Sequence, residues 1–545
     1  MAGTTTPKSA PQKDQAGSGP QGSSDQAELP LTKLEQIEAE FEARHHKSSL
    51  GGGEAAIARQ HSKGSLTAME RMDLLFDSGT FRRLFTLRGA GNSGDGVVTG
   101  WGLIDGRKAY SYAWDFTNFA GTCSADNGRA IGEVLQQAKI EMCPVVGLND
   151  SGGARVQDGV ASLFGYGHIF NGHIDASGYI PQLSAIVGPC AGGAVYAPAL
   201  TDFIAMSKSA FMAVTGPEVM KTTTGKSMTK EELGGYRVHS EKSGRVNLVG
   251  NDDADTIGRL RDLLGYLPGS HAELPPFIPN DDPIERPMEL THEVMRKVLE
   301  QDTPFDVRVI IEDLMDEGRF FEMSEKYAAN LVTGFGRLGG WPIGIIANQS
   351  TSLSGNLDPD SSKKGARFVR FCDCFNIPIL TLVDVAGFIP DDATEAADIE
   401  GFGASFLMAY RLTTVPKFSV VMRRAFGGAY DVMSYKLANT NRAFAWPSSR
   451  FAVMGASGAV DLIHRRELMK VRADEGEEAY HARRNALIDD HKTNIVNPWT
   501  AAELGYIDQF ISIRETRHRV AEALAPLMEV ERLKPHPHKG ANWPI

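Results

Sequence analysis

The 545-residue chain contains an internal repeat, which limits its possible folds more than any other feature of the sequence. The string VVTGWGLIDGR in the first half has the counterpart LVTGFGRLGGW in the second half. Matching positions keep a separation of 234 or 235 residues: Gly100 and Gly334, Asp150 and Asp384, Gly193 and Gly428. This register holds over roughly ninety positions, which a merely glycine-rich chain does not produce by chance. The sequence therefore indicates two copies of one structural unit.

Each copy alternates β-rich runs with helical stretches. In the first copy, the helix-like string GRAIGEVLQQAKIEM leads into the apolar run PVVGLND, which is typical of a β-α-β crossover unit. The predicted fold class is therefore α/β. A proline-rich linker over residues 267–287 separates the copies, and we predict domains at residues 31–285 and 286–545. Residues 1–30, rich in Ser, Gly, Pro and Gln, are predicted to form a disordered tail.

Directly after this tail, Leu34, Ile37 and Phe41 recur at helical spacing among charged residues. The pattern predicts an amphipathic helix within residues 31–59. We expect its apolar face to pack on the body of the protein.

Charge and composition exclude several classes of protein. The formal net charge of −12 argues against a nucleic-acid-binding surface. No apolar run reaches the length of a membrane span, and the N-terminal stretch has no apolar core of a signal peptide. Five cysteines without a CxxC pair favour a reducing cytoplasm, which is the predicted localisation. Cys372 and Cys374 lack two further ligands and are predicted to fill the core, so no metal site is expected.

A glycine doublet follows an apolar strand in both copies and precedes small, helix-forming residues. The doublets are Gly192–Gly193 in the first copy and Gly427–Gly428, followed by Ala429, in the second. The first turn of a helix carries backbone N–H groups without partners inside the helix, and glycines let a ligand oxygen approach them. Each turn is therefore a candidate oxyanion hole, and two holes would stabilise two anions. The sequence leaves open the alternative that these glycines only let helices pack tightly on strands.

Two nucleotide-binding patterns in the chain are decoys. Gly334, Gly336 and Gly339 satisfy GxGxxG, but their flanks predict strand, turn and strand where a dinucleotide site requires a helix. The string TTTGKS resembles the end of a P-loop, but Met220 occupies a position that requires glycine. Neither pattern predicts nucleotide binding.

From about His61 onward the sequence resembles the carboxyltransferase (β) subunits of propionyl-CoA and related acyl-CoA carboxylases. The resemblance is carried by strings such as HSKGSLTAMERMDLLFDSGTF, GLNDSGGARVQDGV, GPCAGGAVYAPALTDF, LVDVAGF and RRAFGGAYDVMSYK. It implies a pair of crotonase-like (ClpP/crotonase) β-β-α spiral domains. The internal duplication agrees with this expectation.

The resemblance also implies an activity. In that family the carboxyl group passes from carboxybiotin to the α-carbon of an acyl-CoA, and here a short-chain acyl-CoA is expected, with propionyl-CoA favoured. No lysine of this chain lies in the family's biotin-attachment context, so biotin would arrive on a partner, the biotin carboxylase/biotin carrier (α) subunit. The resemblance further implies a homohexameric core with active sites between subunits.

Carried over residue by residue, the resemblance assigns Gly192 and Gly193 to the thioester carbonyl of the acyl-CoA. It assigns Gly428 and Ala429 to the ureido oxygen of biotin. Asp431 stands at a position that helps to set acyl selectivity in the family, where an Asp is similar to enzymes that prefer propionyl-CoA. An Asp favoured by the dipole at a helix start is an equally good explanation.

Binding of CoA needs cationic groups, and the family-like strings offer Lys63, Arg71 and Arg155 as candidates. For each of them a solvated surface charge is the alternative. Arg155, which directly follows a glycine pair and an alanine, is the strongest of the three.

One stretch, DDATEAADIEGFGASFLMAY (391–410), departs from the family pattern. Gly401 and Phe402 stand where a basic pair or a basic-polar pair is expected, and Ser405 replaces a lysine. This stretch lies near the expected biotin side, so biotin binding or substrate choice could differ. Three alternatives therefore stay open: the carboxyltransferase subunit of a methylmalonyl-CoA-type decarboxylase, a crotonase-like hydratase or isomerase, and an inactive scaffold paralogue.

Overall fold

The computed structural model describes residues 32–88 and 94–529 and contains one eight-stranded sheet in each half of the chain. The strands of the first half are β1 (Arg82–Leu84), β2 (Val97–Ile104), β3 (Arg107–Trp114), β4 (Val145–Ser151), β5 (Gln182–Ala191), β6 (Phe203–Ser207), β7 (Phe211–Ala213) and β8 (Leu248–Gly250). Those of the second half are β9 (Phe320–Met323), β10 (Leu331–Leu338), β11 (Trp341–Asn348), β12 (Ile379–Val385), β13 (Lys417–Phe426), β14 (Arg442–Ala445), β15 (Arg450–Ala452) and β16 (Gln509–Phe510).

The two sheets have the same topology, strand for strand. The first has the order β1-β2-β3-β4-β5-β6-β8 with β7 beside β5, and the second has the order β9-β10-β11-β12-β13-β14-β16 with β15 beside β13. In both sheets the first three strands pair antiparallel and the following strands pair parallel. The predicted α/β fold with two duplicated domains is therefore confirmed.

Helices cover the sheets and supply the crossovers between parallel strands. In the first half they are α1 (Lys33–Ser49), α2 (Glu54–His61), α3 (Ala68–Leu75), α4 (Ala125–Ile140), α5 (Val160–Ala176), α6 (Tyr196–Ala199), α7 (Pro217–Thr224), α8 (Lys230–Gly234) and α9 (Asp253–Leu264). In the second half they are α10 (Glu289–Gln301), α11 (Val307–Leu314), α12 (Pro359–Cys374), α13 (Asp392–Ala396), α14 (Ile399–Leu412), α15 (Gly427–Asp431), α16 (Ala456–Ile463), α17 (Arg465–Glu475), α18 (Glu477–Asn494), α19 (Pro498–Glu503) and α20 (Thr516–Glu529).

Side chains at equivalent positions start the crossover helices of the two halves. Ser124 Oγ accepts a hydrogen bond from the backbone N–H of Asn127 at 3.1 Å and caps α4. Asp358, which is 234 positions further, accepts from the N–H of Ser361 at 2.9 Å and caps α12. Each cap satisfies one backbone donor that the helix itself leaves without a partner. The repeat therefore extends to the local signals that begin its helices.

The N-terminal helix differs from the expectation. Residues 33–49 are helical, but Leu34, Ile37 and Phe41 are more than half exposed. The prediction that this apolar face packs on the body of the same chain is wrong, because these three side chains are largely exposed to solvent in the described residues. The predicted tail, residues 1–30, lies outside the described residues.

The domain boundary predicted at residues 285 and 286 falls between α9 and α10, where residues 265–288 form neither helix nor strand. The boundary itself stays a prediction. Across it, one apolar cluster joins the halves, since Phe203 on β6 contacts the ring of Phe371 on α12 at a centroid distance of 4.4 Å. Cys372 and Cys374 lie inside this cluster as buried thiols that form no disulfide, and they fill the core as predicted. Among the helices of the described ranges, none is long and apolar enough to cross a membrane.

Candidate functional site

The first glycine doublet lies where β5 ends and a 3-10 turn, Gly192–Val195, begins. Gly192 has a φ of +62°, a left-handed conformation that favours glycine. Gly193 lies against the ring of Tyr166 on α5, and a Cβ added there would meet ring carbons at 2.8 Å. The N–H groups at the start of this turn have no acceptor inside the helix. They are therefore available to a ligand oxygen, as the donors of an oxyanion hole must be.

The second doublet repeats this geometry where β13 runs into α15. Gly427 has a φ of +61°, within one degree of its counterpart in the first half. A Cβ added at Gly428 would meet only Phe388, at 3.9 Å, while the side chain of Ala429 is fully buried. Both turns thus have the predicted strand, glycine turn and helix start, and their role as anion-binding sites stays a prediction.

Asp150 lies near the end of β4, next to the β5 strand that leads into the first turn, and its side chain is buried. Its Oδ2 accepts hydrogen bonds from Arg71 Nη1 at 2.7 Å and Gln60 Nε2 at 3.1 Å. Burial, only partly opposed by Arg71, raises the pKa of Asp150 to about 6. Its Oδ1 lies beside Gly188, where an added Cβ would come within 2.2 Å of that oxygen. Glycine at this position leaves room for the carboxyl group.

The structure corrects the assignment of Arg71 as a CoA contact. Its side chain is 1% exposed, and its guanidinium also donates to Asp253 Oδ2 at 2.8 Å and to the Val187 carbonyl at 3.0 Å. A cation enclosed by two carboxylates and a carbonyl cannot reach a ligand at the surface. Arg71 therefore links α3 and α9 to the end of β4.

The equivalent carboxylate of the second half, Asp384, has a different set of partners. Arg423 Nη2 donates to its Oδ2 at 2.9 Å, and Arg424 Nε donates to its Oδ1 at 2.7 Å. Burial opposes ionisation, but the bonds and charges of Arg424 and Arg423 hold the pKa of Asp384 below its usual range. Gly188 and Pro189 occupy the corresponding positions in the first half. The repeat therefore conserves the aspartate but not the source of its counter-charge.

Arg155 lies close to the first turn but is partly engaged. Its Nη1 forms an ion pair with Asp95 Oδ1 at 2.6 Å, and its guanidinium stacks on Phe119 at 4.5 Å. The side chain keeps an exposed fraction of 11%, so little of it is open to solvent. Lys63 is exposed, with its ammonium group 5.6 Å from the centre of the Phe116 ring. Lys63 is therefore accessible to a ligand. Arg155 instead holds the loop that contains Asp95.

Asp431 is the last residue of α15 and is half-buried. Burial raises its pKa, and no cation contributes to the shift. It lies three residues after Gly428 on the same short helix, so its carboxyl group belongs to the second turn. Its proposed influence on acyl selectivity stays a prediction.

The departing stretch forms α13 and the start of α14. Asp398 adopts a left-handed backbone with φ of +65° and caps α14 by accepting from the N–H of Gly401 at 3.1 Å. Phe402 lies under the ammonium group of Lys363 at 4.2 Å from the ring centre. Gly403 packs against Phe388, the same ring that lies nearest to Gly428. Gly403 of this stretch therefore lies near the second turn, whereas Phe402 contacts Lys363.

Sequence reasoning missed the aromatic walls of the two turns, Tyr166 and Phe388. Neither belongs to the two glycine doublets, and both approach the turns from segments distant in sequence, although Phe388 ends the quoted string LVDVAGF. The only available signal was the glycine itself, since a residue without Cβ beside a helix start requires a close neighbour.

In residues 32–88 and 94–529, no three His, Cys, Asp or Glu side chains are grouped to hold a metal ion.

Sequence comparisons with known proteins identify one family. The sequence matches the family described as "Carboxyl transferase domain" over residues 59–541. It is 44% identical over 506 residues to the propionyl-CoA carboxylase beta chain of Roseobacter denitrificans, covering 91% of this chain and 97% of that protein. It is 42% identical over 523 residues to the mitochondrial propionyl-CoA carboxylase beta chain of Homo sapiens, covering 93% and 94%.

Solved structures agree with this result. The crystal structure of transcarboxylase 12S, a hexamer assembly with methylmalonyl-coenzyme A and methylmalonic acid bound, superposes with a TM-score of 0.86. The two sequences are 38% identical, and the match covers 93% of this chain and 98% of that chain. A single-chain, multi-domain long-chain acyl-CoA carboxylase shares the fold at a TM-score of 0.75.

Proposed function

The chain belongs to the carboxyl transferase domain family, and from this premise we propose that it is the carboxyltransferase subunit of a biotin-dependent acyl-CoA carboxylase. Its substrate would be a short-chain acyl-CoA, with propionyl-CoA favoured. The observation that carries the proposal is the pair of equivalent glycine turns, each at a strand-to-helix junction with a φ near +60° at its first glycine. The relatives named above, propionyl-CoA carboxylase beta chains, support the substrate class.

Carboxybiotin on a partner subunit would supply the carboxyl group. The residues of this chain that fit its ureido oxygen are Gly428 and Ala429, because the turn is open at Gly428 and backbone N–H groups are suited to a carbonyl or ureido oxygen. At the other turn, the N–H groups of Gly192 and Gly193 would stabilise the charge that develops on the thioester oxygen when the α-proton leaves. Neither role requires a side-chain nucleophile.

Two proline variants test these donors. Ala429→Pro removes the N–H of the third residue of α15, a donor that the helix itself leaves without a partner. Gly193→Pro removes the other donor but also introduces a Cβ against Tyr166. Gly193→Ala is therefore the matched control, since it introduces the same Cβ and keeps the N–H. Ala429→Gly is the control for the second turn.

The measurement is the rate of carboxylation of acetyl-, propionyl- and butyryl-CoA by the full chain with its biotinylated partner. Each proline variant should be about 100- to 1,000-fold slower than its control. Propionyl-CoA should have the highest kcat/KM. Proline variants that match their controls would remove the basis for two oxyanion holes.

The assembly and location are part of the same proposal. The related transcarboxylase 12S assembles as a hexamer, and we expect a homohexameric core here, joined by a biotin carboxylase/biotin carrier subunit. Large apolar side chains that are more than half exposed are consistent with surfaces covered by other subunits: Val156, Leu163, Phe164, Val453, Leu462 and Ile463. Five buried thiols that form no disulfide are consistent with a reducing cytoplasm.

An inactive scaffold role is favoured by one observation, the departing stretch beside the second turn. If the stretch abolished use of biotin, the chain would bind acyl-CoA but fail to carboxylate any member of the panel. Running the assay from methylmalonyl-CoA with free biotin as acceptor tests the decarboxylase direction. Turnover in either direction excludes the scaffold.

A further inference from the structure

A cavity of about 420 Å³ lies between the two halves, away from both glycine turns. The loop 242–247 of the first half forms one wall, and the N-terminal part of α12 forms the opposite wall. Gly244, with a φ of +64°, lets this loop pack on Tyr327, because a Cβ there would come within 2.3 Å of the ring. The volume falls in the range of small-molecule sites.

The lining of this cavity is strongly cationic. It includes five basic side chains, Lys242, Arg245, Lys363, Lys364 and Arg367. The single lining carboxylate is that of Asp360. Its Oδ1 already accepts from the Tyr327 hydroxyl at 2.8 Å and lies 3.4 Å from Lys363 Nζ. One carboxylate cannot balance the surrounding charge.

Two of these cations are committed to the fold. Lys364 Nζ donates to the carbonyls of Ser324 at 2.9 Å and Tyr327 at 2.8 Å. Arg367 Nη2 donates to the carbonyls of Thr201 and Asp202, each at 2.9 Å. They fix the walls and add positive potential, but their donors are largely used.

Arg245 and Lys363 have N–H donors that the hydrogen bonds of the described residues do not use. Arg245 is half-buried, and within the described parts of the chain its guanidinium forms no hydrogen bond or ion pair. Burial lowers the pKa of Arg245. Burial also lowers the pKa of Arg367 to about 10, and the charge of Arg245 adds to that shift, so the two cations repel one another in a partly desolvated site. Lys363 has only the long contact with Asp360 and the face of Phe402. An anion bound in this cavity beside Arg245 would offset its repulsion with Arg367.

We propose that this cavity binds a small phosphate-bearing metabolite, with Arg245 and Lys363 as the direct ligands of the phosphate. Arginine and lysine are the residues that recognise phosphate, by fork-like donors and as a point charge respectively. The site accounts for Phe402, which stands where relatives are expected to carry a polar or basic residue and here forms the apolar rim beside Lys363. It is distinct from the proposed acyl-CoA site, which lies at the glycine turn of the first half.

Inorganic phosphate is the probe, and the thermal midpoint of the full chain is the readout. Every sample contains saturating free coenzyme A, so that phosphate cannot act through the proposed CoA site. A phosphate titration is compared with sodium chloride at equal ionic strength. At tenfold excess over its dissociation constant, phosphate should raise the midpoint by about 2 °C above the chloride control.

Arg245→Gln and Lys363→Gln should each abolish the phosphate-specific shift, and in calorimetric titrations each should weaken phosphate binding about tenfold or more. Lys230→Gln, an exposed lysine on α8, removes one charge elsewhere and should bind as the unaltered chain does. If Arg245→Gln does not fold, Lys363→Gln decides alone. No shift beyond chloride, or an equal shift in Lys363→Gln and Lys230→Gln, overturns the proposal. Both results are independent of carboxylation activity.

Discussion

Asp150 and Asp384 are equivalent in the repeat and equally buried, yet their charges are balanced in different ways. Asp384 lies between two arginines of β13, whereas Asp150 shares one arginine with Asp253. Removing one member of a buried ion pair leaves the other charge without compensation, which costs more than the pair itself contributes. The two aspartates should therefore respond differently to the same substitution.

Asp384→Asn should lower the free energy of unfolding by about 3–5 kcal/mol, because Arg423 is left buried without a full counter-charge. Asp150→Asn should cost less, since Arg71 keeps its bonds to Asp253 and to the Val187 carbonyl. Urea unfolding of both variants at pH 7.5 measures the difference. Equal losses of unfolding free energy in the two variants would show that the second arginine of β13, Arg424, adds nothing to the stabilisation.

The pH dependence separates the two sites as well. The folded-state pKa of Asp384 is below its ordinary value, so its contribution is fully present above about pH 4 and is lost as the pH falls through the folded pKa. The folded-state pKa of Asp150 is raised to about 6, so ionisation of this group opposes folding as the pH rises from about 4 to 6. Asp384→Asn should flatten the acid limb of the stability curve, and Asp150→Asn should not.

At single residues, sequence predicts backbone requirements better than side-chain partners. The glycine doublets were predictable because helix starts and positive φ values are local properties. Arg71 was not, because its partners Asp150 and Asp253 are 79 and 182 positions away and only the packed structure brings them together. A buried arginine and a surface arginine have the same appearance in a string such as KGSLTAMER.

The two glycine turns offer an element-scale test of local strain. Gly192 and Gly427 have nearly the same φ, so Ala at either position incurs the left-handed penalty of about 1–2 kcal/mol. A Cβ at Gly192 would meet nothing within 4 Å, whereas one at Gly427 would lie 3.0 Å from the Val453 carbonyl. Gly427→Ala should therefore destabilise more than Gly192→Ala in urea unfolding. The reverse order would contradict the described neighbours of the turns.

Helices α4 and α5 pack through glycines. A Cβ at Gly165 would lie 2.0 Å from the Ser124 carbonyl oxygen, while one at Gly167, two residues on, would meet nothing within 4 Å. Gly165→Ala should cost about 1–3 kcal/mol or more, because backbone has to move. Gly167→Ala should stabilise by about 0.5–1 kcal/mol, since alanine has less conformational freedom to lose in the helix interior. The thermal midpoint of Gly165→Ala should therefore lie below that of the unaltered chain, and the midpoint of Gly167→Ala should lie above it.

Element prediction from sequence succeeded where a pattern was long enough. The eight-residue strands β2 and β10 and their partners carry the repeat strings, and their pairing follows from it. Strands of three residues such as β7 and β15 carry too little pattern to be predicted. The helical spacing of α1 predicted the helix correctly, but it could not show that Leu34, Ile37 and Phe41 stay exposed.

At the scale of the whole molecule, the repeat predicted two copies of one fold but not how they touch. The contact uses Phe203 on β6 against Phe371 and Phe335 of the second half. Phe371 belongs to no repeated string, and the string that contains Phe335 does not show that its ring packs across the boundary. Polar contacts cross as well, since Arg367 donates to the carbonyls that follow α6 and Arg337 donates to the Gly265 carbonyl at 2.6 Å. A shared core of this kind makes independent unfolding of the halves unfavourable.

We therefore expect a single cooperative transition in calorimetry, in spite of the two-domain sequence. Phe203→Ala removes a ring that packs across the boundary and should cost about 3–5 kcal/mol while splitting the transition into two. Phe418→Ala is the matched control, because this ring is equally buried but lies in a cluster made only of second-half residues. It should lower the midpoint without splitting the transition. Two transitions in the unaltered chain would contradict this expectation, and so would a transition that is split by Phe418→Ala but not by Phe203→Ala. If the boundary cluster couples the halves, removing a contact between them must change the unfolding of both halves.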